Sequence, residues 1–207
     1  MEAYRNDKKW AQLAKWSHEM GIPSWSARVV RMSSIHPGIL MGSRLSAQSI
    51  IDGESLSDQD GTEHRDGKRF HILCVARMQT CGFCQHSNRF HSVIIRDRDA
   101  STNIEFLKNA QVAASLLFRL LQGGNTVLVH CHSGRNRSAL VILVYCAMYT
   151  SLSFDASLYR IKNYNSRRFS RKDTLSNRSF VTKVKENWED LRNEANSSSS
   201  RRRRTLF

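Results

Sequence analysis

Apolar positions along this chain fall into two kinds of run. Short, mostly apolar runs occur at Phe70–Val75, Phe90–Ile95 and Thr126–Val129, and a further one follows the Pro37-Gly38 turn within Ser34–Ser43. Runs of this length, bounded by polar segments, predict buried strands. The Ser34–Ser43 stretch predicts two short strands joined at Pro37-Gly38, followed by a short helix over Leu45–Ile51. Helical periodicity is clearest over Asn103–Gln122, where Ile104, Leu107, Ala110, Ala114, Leu117 and Leu121 recur at three- and four-residue steps. Thr102-Asn103-Ile104-Glu105 reads as a capping box for that helix, and Gly123-Gly124 as its terminator. Ala139–Met148 is apolar throughout and predicts a buried helix. Ser153–Asn163 and Ser179–Glu194 are helical in pattern. Trp10, Leu13, Ala14 and Trp16 predict an amphipathic helix that Gly21-Ile22-Pro23-Ser24 ends.

Between these elements, Asp52–Lys68, Arg77–Arg89 and Asn165–Asn177 are polar and lack periodicity, so they read as loops. Strands alternating with helices predict an α/β domain, a central, mostly parallel twisted sheet with helices on both faces. The expected organisation is an N-terminal helical extension over residues 1–33, a catalytic domain over 34–194, and a disordered basic tail over 195–207, where Ser197–Ser200 precede Arg201–Arg204.

Composition narrows the class. The chain has 207 residues, 40% of them hydrophobic, enough for one domain with a core and extensions. No apolar run reaches the about 18 residues of a membrane span, and Met1–Met20 has charges throughout and no apolar signal-peptide core. The five cysteines (Cys74, Cys81, Cys84, Cys131 and Cys146) are an odd number, which argues for a reducing compartment. The expected location is the cytoplasm, and Arg201–Arg204 are a basic run of the kind that can also direct nuclear import. Net charge is +14, and Tyr159–Phe207 carries fourteen Lys or Arg against five acids. Such a surface attracts phosphorylated or other anionic partners.

The chemistry concentrates in His130-Cys131-His132-Ser133-Gly134-Arg135-Asn136-Arg137-Ser138, between the strand at Thr126–Val129 and the buried helix. A loop entering a helix N-terminus turns its backbone N–H groups onto an anion. Cys131 would sit at the base of that cradle, with Arg137 closing over it as a planar fork for phosphate oxygens. A helix N-terminus and a nearby cation both lower a thiol pKa from its free value of about 8.5.

This pattern resembles the signature of the protein-tyrosine-phosphatase superfamily, His-Cys, five residues, then Arg-Ser/Thr, in its dual-specificity branch. Two further stretches are similar to that branch: Ile35-His36-Pro37-Gly38, like its opening hairpin, and Asn177-Arg178-Ser179-Phe180, like a later helix start, with Ser176 in place of a proline. The resemblance runs from about Ser34 to about Arg192. It implies a phosphatase of phosphotyrosine and phosphoserine/threonine on proteins, acting through a phosphocysteine on Cys131, with no cofactor and no metal. It also implies that Arg137 binds phosphate oxygens, that Ser138 hydrogen-bonds the sulfur, and that His130 orients the loop through backbone contacts. The loop residues His132, Ser133, Gly134, Arg135 and Asn136 would line the phosphate site, and Arg167 and Arg168 stand where an arginine lines a second phosphate pocket.

The family places its general acid on an aspartate roughly thirty residues before the cysteine. Asp97 and Asp99 both qualify: strand parity from Val93 and Ile95 favours Asp97, and spacing to Cys131 favours Asp99. Basic Arg135 and His132 resemble the lysine positions of phosphoinositide phosphatases, and Asn136-Arg137-Ser138 resembles RNA 5′-triphosphatases. A phosphoinositide or RNA ligand, drawn by the basic C-terminal third, is the alternative to a protein substrate. A non-catalytic phospho-binding module is a further one. Cys81-Gly82-Phe83-Cys84, with His86 and His91 nearby, is a lone C-x-x-C and a weak zinc or redox signal.

Overall fold

Five strands form one sheet in the order β1-β2-β5-β3-β4, comprising β1 (Val30–Arg31), β2 (Ile39–Gly42), β3 (Phe70–Cys74), β4 (Phe90–Ser92) and β5 (Thr126–His130). The computed structural model describes residues 30–51, 70–76, 89–97, 104–169 and 174–204. The predicted N-terminal helix, the Asp52–Lys68 loop, Cys81, Cys84, His86, Asp99 and Thr102 lie outside the described residues. β2, β5, β3 and β4 run parallel, and β1 joins β2 antiparallel. The α/β reading with a mostly parallel sheet is thus met. β5 lies at the centre, pairing with β2 from Ile39↔Val127 to Gly42↔His130 and with β3 from Phe70↔Thr126 to Cys74↔His130.

Among the described residues are six helices: α1 (Arg44–Ile51), α2 (Glu105–Gln122), α3 (Arg137–Tyr149), α4 (Phe154–Phe169), α5 (Arg178–Glu186) and α6 (Trp188–Arg204). Side chains alternate across the sheet, so each parallel strand feeds two cores. Ile39, Met41, Leu73, Val127 and Val129 face the large core built with α2, α3, α5 and α6. Leu40, Ile72 and Leu128 face the opposite side, where Ala47 of α1 joins them with Phe70 and Phe90 at the margin. α3 is buried from Ser138 to Ala147 because it carries almost no polar side chain. Phe118 of α2 stacks on Tyr149 of α3, with ring centroids 4.1 Å apart, and Phe106 packs on Phe180 at 4.9 Å.

Several boundaries differ from the sequence expectation, each for a local reason. The opening hairpin begins earlier, at Val30, because the Ile35 and His36 N–H groups fold back onto the Met32 carbonyl and the Met32 N–H reaches Ile39 O. α2 begins at Glu105 with Ile104 as N-cap and no side-chain cap, so Glu105 is the first helical residue and not the third of a capping box. Ser179–Glu194 divides into α5 and α6 at Asn187, whose backbone N–H and side-chain amide both reach the Lys183 carbonyl. α4 runs on to Phe169, into the segment read as a loop. The backbone of α6 is helical through Arg204, where a disordered tail from 195 was expected. Trp188, Leu191 and Ala195 pack against the core, and extending a helix already anchored costs little.

Candidate active site

The carboxyl ends of β2, β3 and β5 converge on the loop between β5 and α3. β5 delivers His130 and Cys131, and α3 opens at Arg137. Between them Gly134 has a φ of 66°, left-handed backbone that glycine alone adopts without cost. Neighbouring backbone braces the loop. Val75 N–H donates to His130 O at 2.9 Å, Arg44 N–H to His132 O at 3.2 Å, and Leu175 N–H to Arg135 O at 3.2 Å. Arg44, at the start of α1, had no signal in the sequence. Gly42 allows the close approach of β2 to α1, since a Cβ there would lie 2.7 Å from Ser46 Cβ.

Cys131 is 1% exposed, and its Sγ lies 3.5 Å from Ser138 Oγ. Burial by itself would raise the thiol pKa. The Ser138 hydroxyl, the Ser138 backbone, the Arg137 charge and the Arg135 backbone outweigh it, and the net shift is downward. Ser138 is fully buried in the first turn of α3, and Asn136 holds the N-cap position, so its hydroxyl is aimed at the sulfur and not at the helix end. His130 is also fully buried, with no hydrogen-bond partner on either ring nitrogen. Burial pushes its pKa down to about 4, Arg44 adds to that, and the Cys131 backbone only partly opposes it. The ring is thus neutral and buried, and the residue's carbonyl ties the loop to Val75.

Asp97 follows β4 at the rim of the cradle. Its Oδ2 lies 3.5 Å from Arg137 Nε, ion-pair range without hydrogen-bond geometry, which is why that buried Nε counts as unsatisfied. Its Oδ1 accepts from Asn177 Nδ2 at 3.3 Å. Of the two aspartates expected as the acid, the structure brings Asp97 to the cradle, while Asp99 is outside the described residues. Asn177, noted in the sequence only as part of a helix start, enters the site with it.

The other candidates divide. His132 and Arg135 are exposed on the outer rim, and Ser133 is half-buried. The Asn136 side chain, expected to line the phosphate site, ties the loop to the segment before α5. Its Oδ1 accepts from Ser176 N–H at 3.0 Å, Ser176 Oγ at 3.2 Å and Asn177 N–H at 3.4 Å, because segment 174–177 packs beside the loop. The side chains of Arg167 and Arg168, on the last turn of α4, lie outside the described residues. His91 pairs with His71 across β3 and β4, ring nitrogens 3.0 Å apart. Among the described residues no cluster of three or more His, Cys, Asp or Glu could hold a metal.

A buried, acidified thiol reached by the Ser138 and Arg135 backbones, with an arginine at the first helical residue, can hold a tetrahedral oxyanion against a nucleophile. Known proteins resemble this chain in sequence and in fold. A family model of the dual specificity phosphatase catalytic domain matches residues 64–189, more than half the chain. The chain belongs to the dual-specificity phosphatase family. The chain is 25% identical over 144 residues to dual specificity protein phosphatase 26 of Bos taurus, covering 67% of this chain and 65% of that protein, just under two thirds of the relative's length. The phosphatase fold is shared with solved structures at lower identity. Human DUSP28 superposes with a TM-score of 0.55 at 18% identity, covering 78% of this chain and 93% of that one. DUSP15 gives a TM-score of 0.56 at 18% identity, covering 79% and 93%. Among the described residues of this phosphatase domain, no helix is long and apolar enough to cross a membrane.

Proposed function

We propose that this chain hydrolyses phosphotyrosine and phosphoserine/threonine on protein substrates through a phosphocysteine on Cys131. One observation carries the reading above the rest. The Cys131 thiol is acidified by Ser138 and Arg137 although it is buried, and burial alone would have made it inert. The Cys131 thiolate attacks phosphorus, forming the S–P bond as the substrate P–O bond breaks. Asp97 gives its proton to the leaving oxygen. Arg137 and the loop N–H groups neutralise charge on the equatorial oxygens. Water then attacks phosphorus and passes a proton to the now ionised Asp97, phosphate leaves, and the Ser138 hydroxyl stabilises the departing thiolate.

A substrate panel tests this: phosphopeptides, phosphoinositides and 5′-triphosphorylated RNA, each with the Cys131→Ser variant as control. Phosphopeptides should turn over fastest and the variant should be inactive. Turnover of phosphoinositide or triphosphorylated RNA alone would favour the second reading, which exposed Arg135 and His132 on the rim support as anchors for a polyanion. No turnover of any member in reducing buffer would instead mark a phospho-binding module. The basic C-terminal third is then the surface that recruits an acidic partner, and cytoplasmic localisation with nuclear entry through Arg201–Arg204 follows as part of the same proposal.

A further inference from the structure

Asn136 and Asn177 hold the N-cap positions of α3 and α5, and neither side chain caps its helix. Asparagine is among the most favoured capping residues because its oxygen satisfies an orphan N–H of the first turn. Both side chains spend their hydrogen bonds elsewhere. The Asn136 oxygen accepts from Ser176 N–H, Ser176 Oγ and Asn177 N–H. The Asn177 amide donates to Asp97 Oδ1 at 3.3 Å. Between them Leu175 is buried at a φ of 55°, left-handed backbone that leucine rarely adopts. Its N–H closes onto Arg135 O. A continuous hydrogen-bonded path thus runs from the loop under the phosphate, through segment 175–177, to the carboxyl that faces the cradle.

This path matters once the cradle fills. Among the described residues, the Asp97 carboxyl has two partners, Arg137 at Oδ2 and Asn177 at Oδ1. A phosphate dianion draws the guanidinium donors of Arg137 to itself. Asn177 is then the partner that keeps Asp97 in place. An N–H donated to Oδ1 also leaves Oδ2 as the oxygen that carries the proton, and Oδ2 is the one facing Arg137 and the cradle.

We infer that Asn177 is a positioning residue for proton donation: held by Asn136, it aims the protonated Oδ2 of Asp97 at the leaving-group oxygen. The inference rests on the proposed acid role of Asp97. Its test compares leaving groups in the full chain. Asn177→Ser keeps a residue that can cap α5 but is too short to reach Asp97. With an alkyl phosphate or phosphoserine peptide, kcat should fall about 10-fold or more. With an activated aryl phosphate, which needs little proton assistance, it should fall no more than about 3-fold, with KM little changed in both cases. In an Asp97→Asn background the same substitution should cost nothing further. Asn136→Ala should repeat the pattern more weakly, and serves as the readout if Asn177→Ser does not fold. An equal fall for both leaving groups, or a full additional loss in the Asp97→Asn background, overturns the inference. If Asp97→Asn itself shows no leaving-group dependence, the acid assignment falls and this inference falls with it. If Asp97→Asn shows it and Asn177→Ser does not, the inference alone fails.

Discussion

The two walls of the cleft are built in opposite ways. The nucleophile wall is one stretch of chain, His130 to Ser138, in which the thiol, its hydroxyl partner and its arginine are within seven residues of one another. The acid wall is assembled from Asp97 and Asn177, 80 positions apart, and is tied to the first wall by Asn136 across 40 positions to Ser176. The first wall is rigid because a central strand and a buried helix fix both its ends. The second is held by long hydrogen bonds between side chains that are partly open to water. In the proposed mechanism this difference separates the two chemical steps. Nucleophilic attack depends on a preformed anion site, and proton donation depends on a contact that must survive binding.

Removing the nucleophile should produce the largest effect. Cys131→Ser should lower turnover of every substrate by about 10⁴-fold or more, regardless of leaving group, as steady-state kinetics would show. A residual rate that varied with leaving group would mean the two walls are not separable. Asp97→Asn should follow with a loss of about 10²- to 10³-fold for phosphoserine peptides and far less for an activated aryl phosphate. Uniform loss across that pair would move the acid elsewhere, with Asp99 the next residue to substitute.

The contrast between the walls also explains what the sequence disclosed. The cradle was legible because its chemistry and its geometry are both local: a strand-end cysteine, a left-handed glycine at Gly134 and an arginine opening a helix are encoded in consecutive residues. The strands and the two main helices were legible because α3 is apolar all round and α2 has a single buried stripe. The acid was narrowed only to Asp97 or Asp99, since strand parity says which way a side chain points but not what it meets. Arg44 gave no signal and Asn177 only that of a helix start, because each reaches the site through a contact with a distant segment. The contacts of the Asn136 side chain were hidden for the same reason. Its neighbours in sequence are the residues expected to bind phosphate, while its side-chain oxygen accepts from Ser176 and Asn177. The boundary errors at Glu105 and Asn187 come from caps, where one hydrogen bond decides the end of a helix.

The rigidity of the first wall has a pH signature. His130 is buried neutral with its pKa near about 4, against 6.5 unperturbed. The unfolded chain therefore binds the proton that the folded chain refuses, so stability is complete above about pH 6.5 and falls as pH drops toward 4. A shift of this size corresponds to about 3 kcal/mol. Urea unfolding at pH 7 and pH 4.5 should show a loss of that order, and His130→Gln should remove most of the pH dependence. An unchanged pH dependence in the variant would mean that the acid sensitivity does not arise at His130.

The smallest effect tests how the first wall divides its work between the two halves of the reaction. Ser138 Oγ lies 3.5 Å from Cys131 Sγ and lowers the thiol pKa. In the attack step Arg137 and the loop N–H groups still favour the thiolate, so losing the hydroxyl raises the thiol pKa without abolishing the anion. In the second step the thiolate is the leaving group, and its stabilisation enters the barrier directly. Ser138→Ala should therefore slow hydrolysis of the phosphocysteine by about 10-fold, roughly 1.4 kcal/mol, while leaving attack faster than hydrolysis. Rapid-mixing measurements on an activated aryl phosphate should then show a burst of released phenol followed by a slow steady state, and phosphoenzyme should accumulate. The rising limb of the pH–rate profile should shift upward, following the thiol pKa. A slower rate without a burst would place the role of the hydroxyl in attack and not in release of the thiolate.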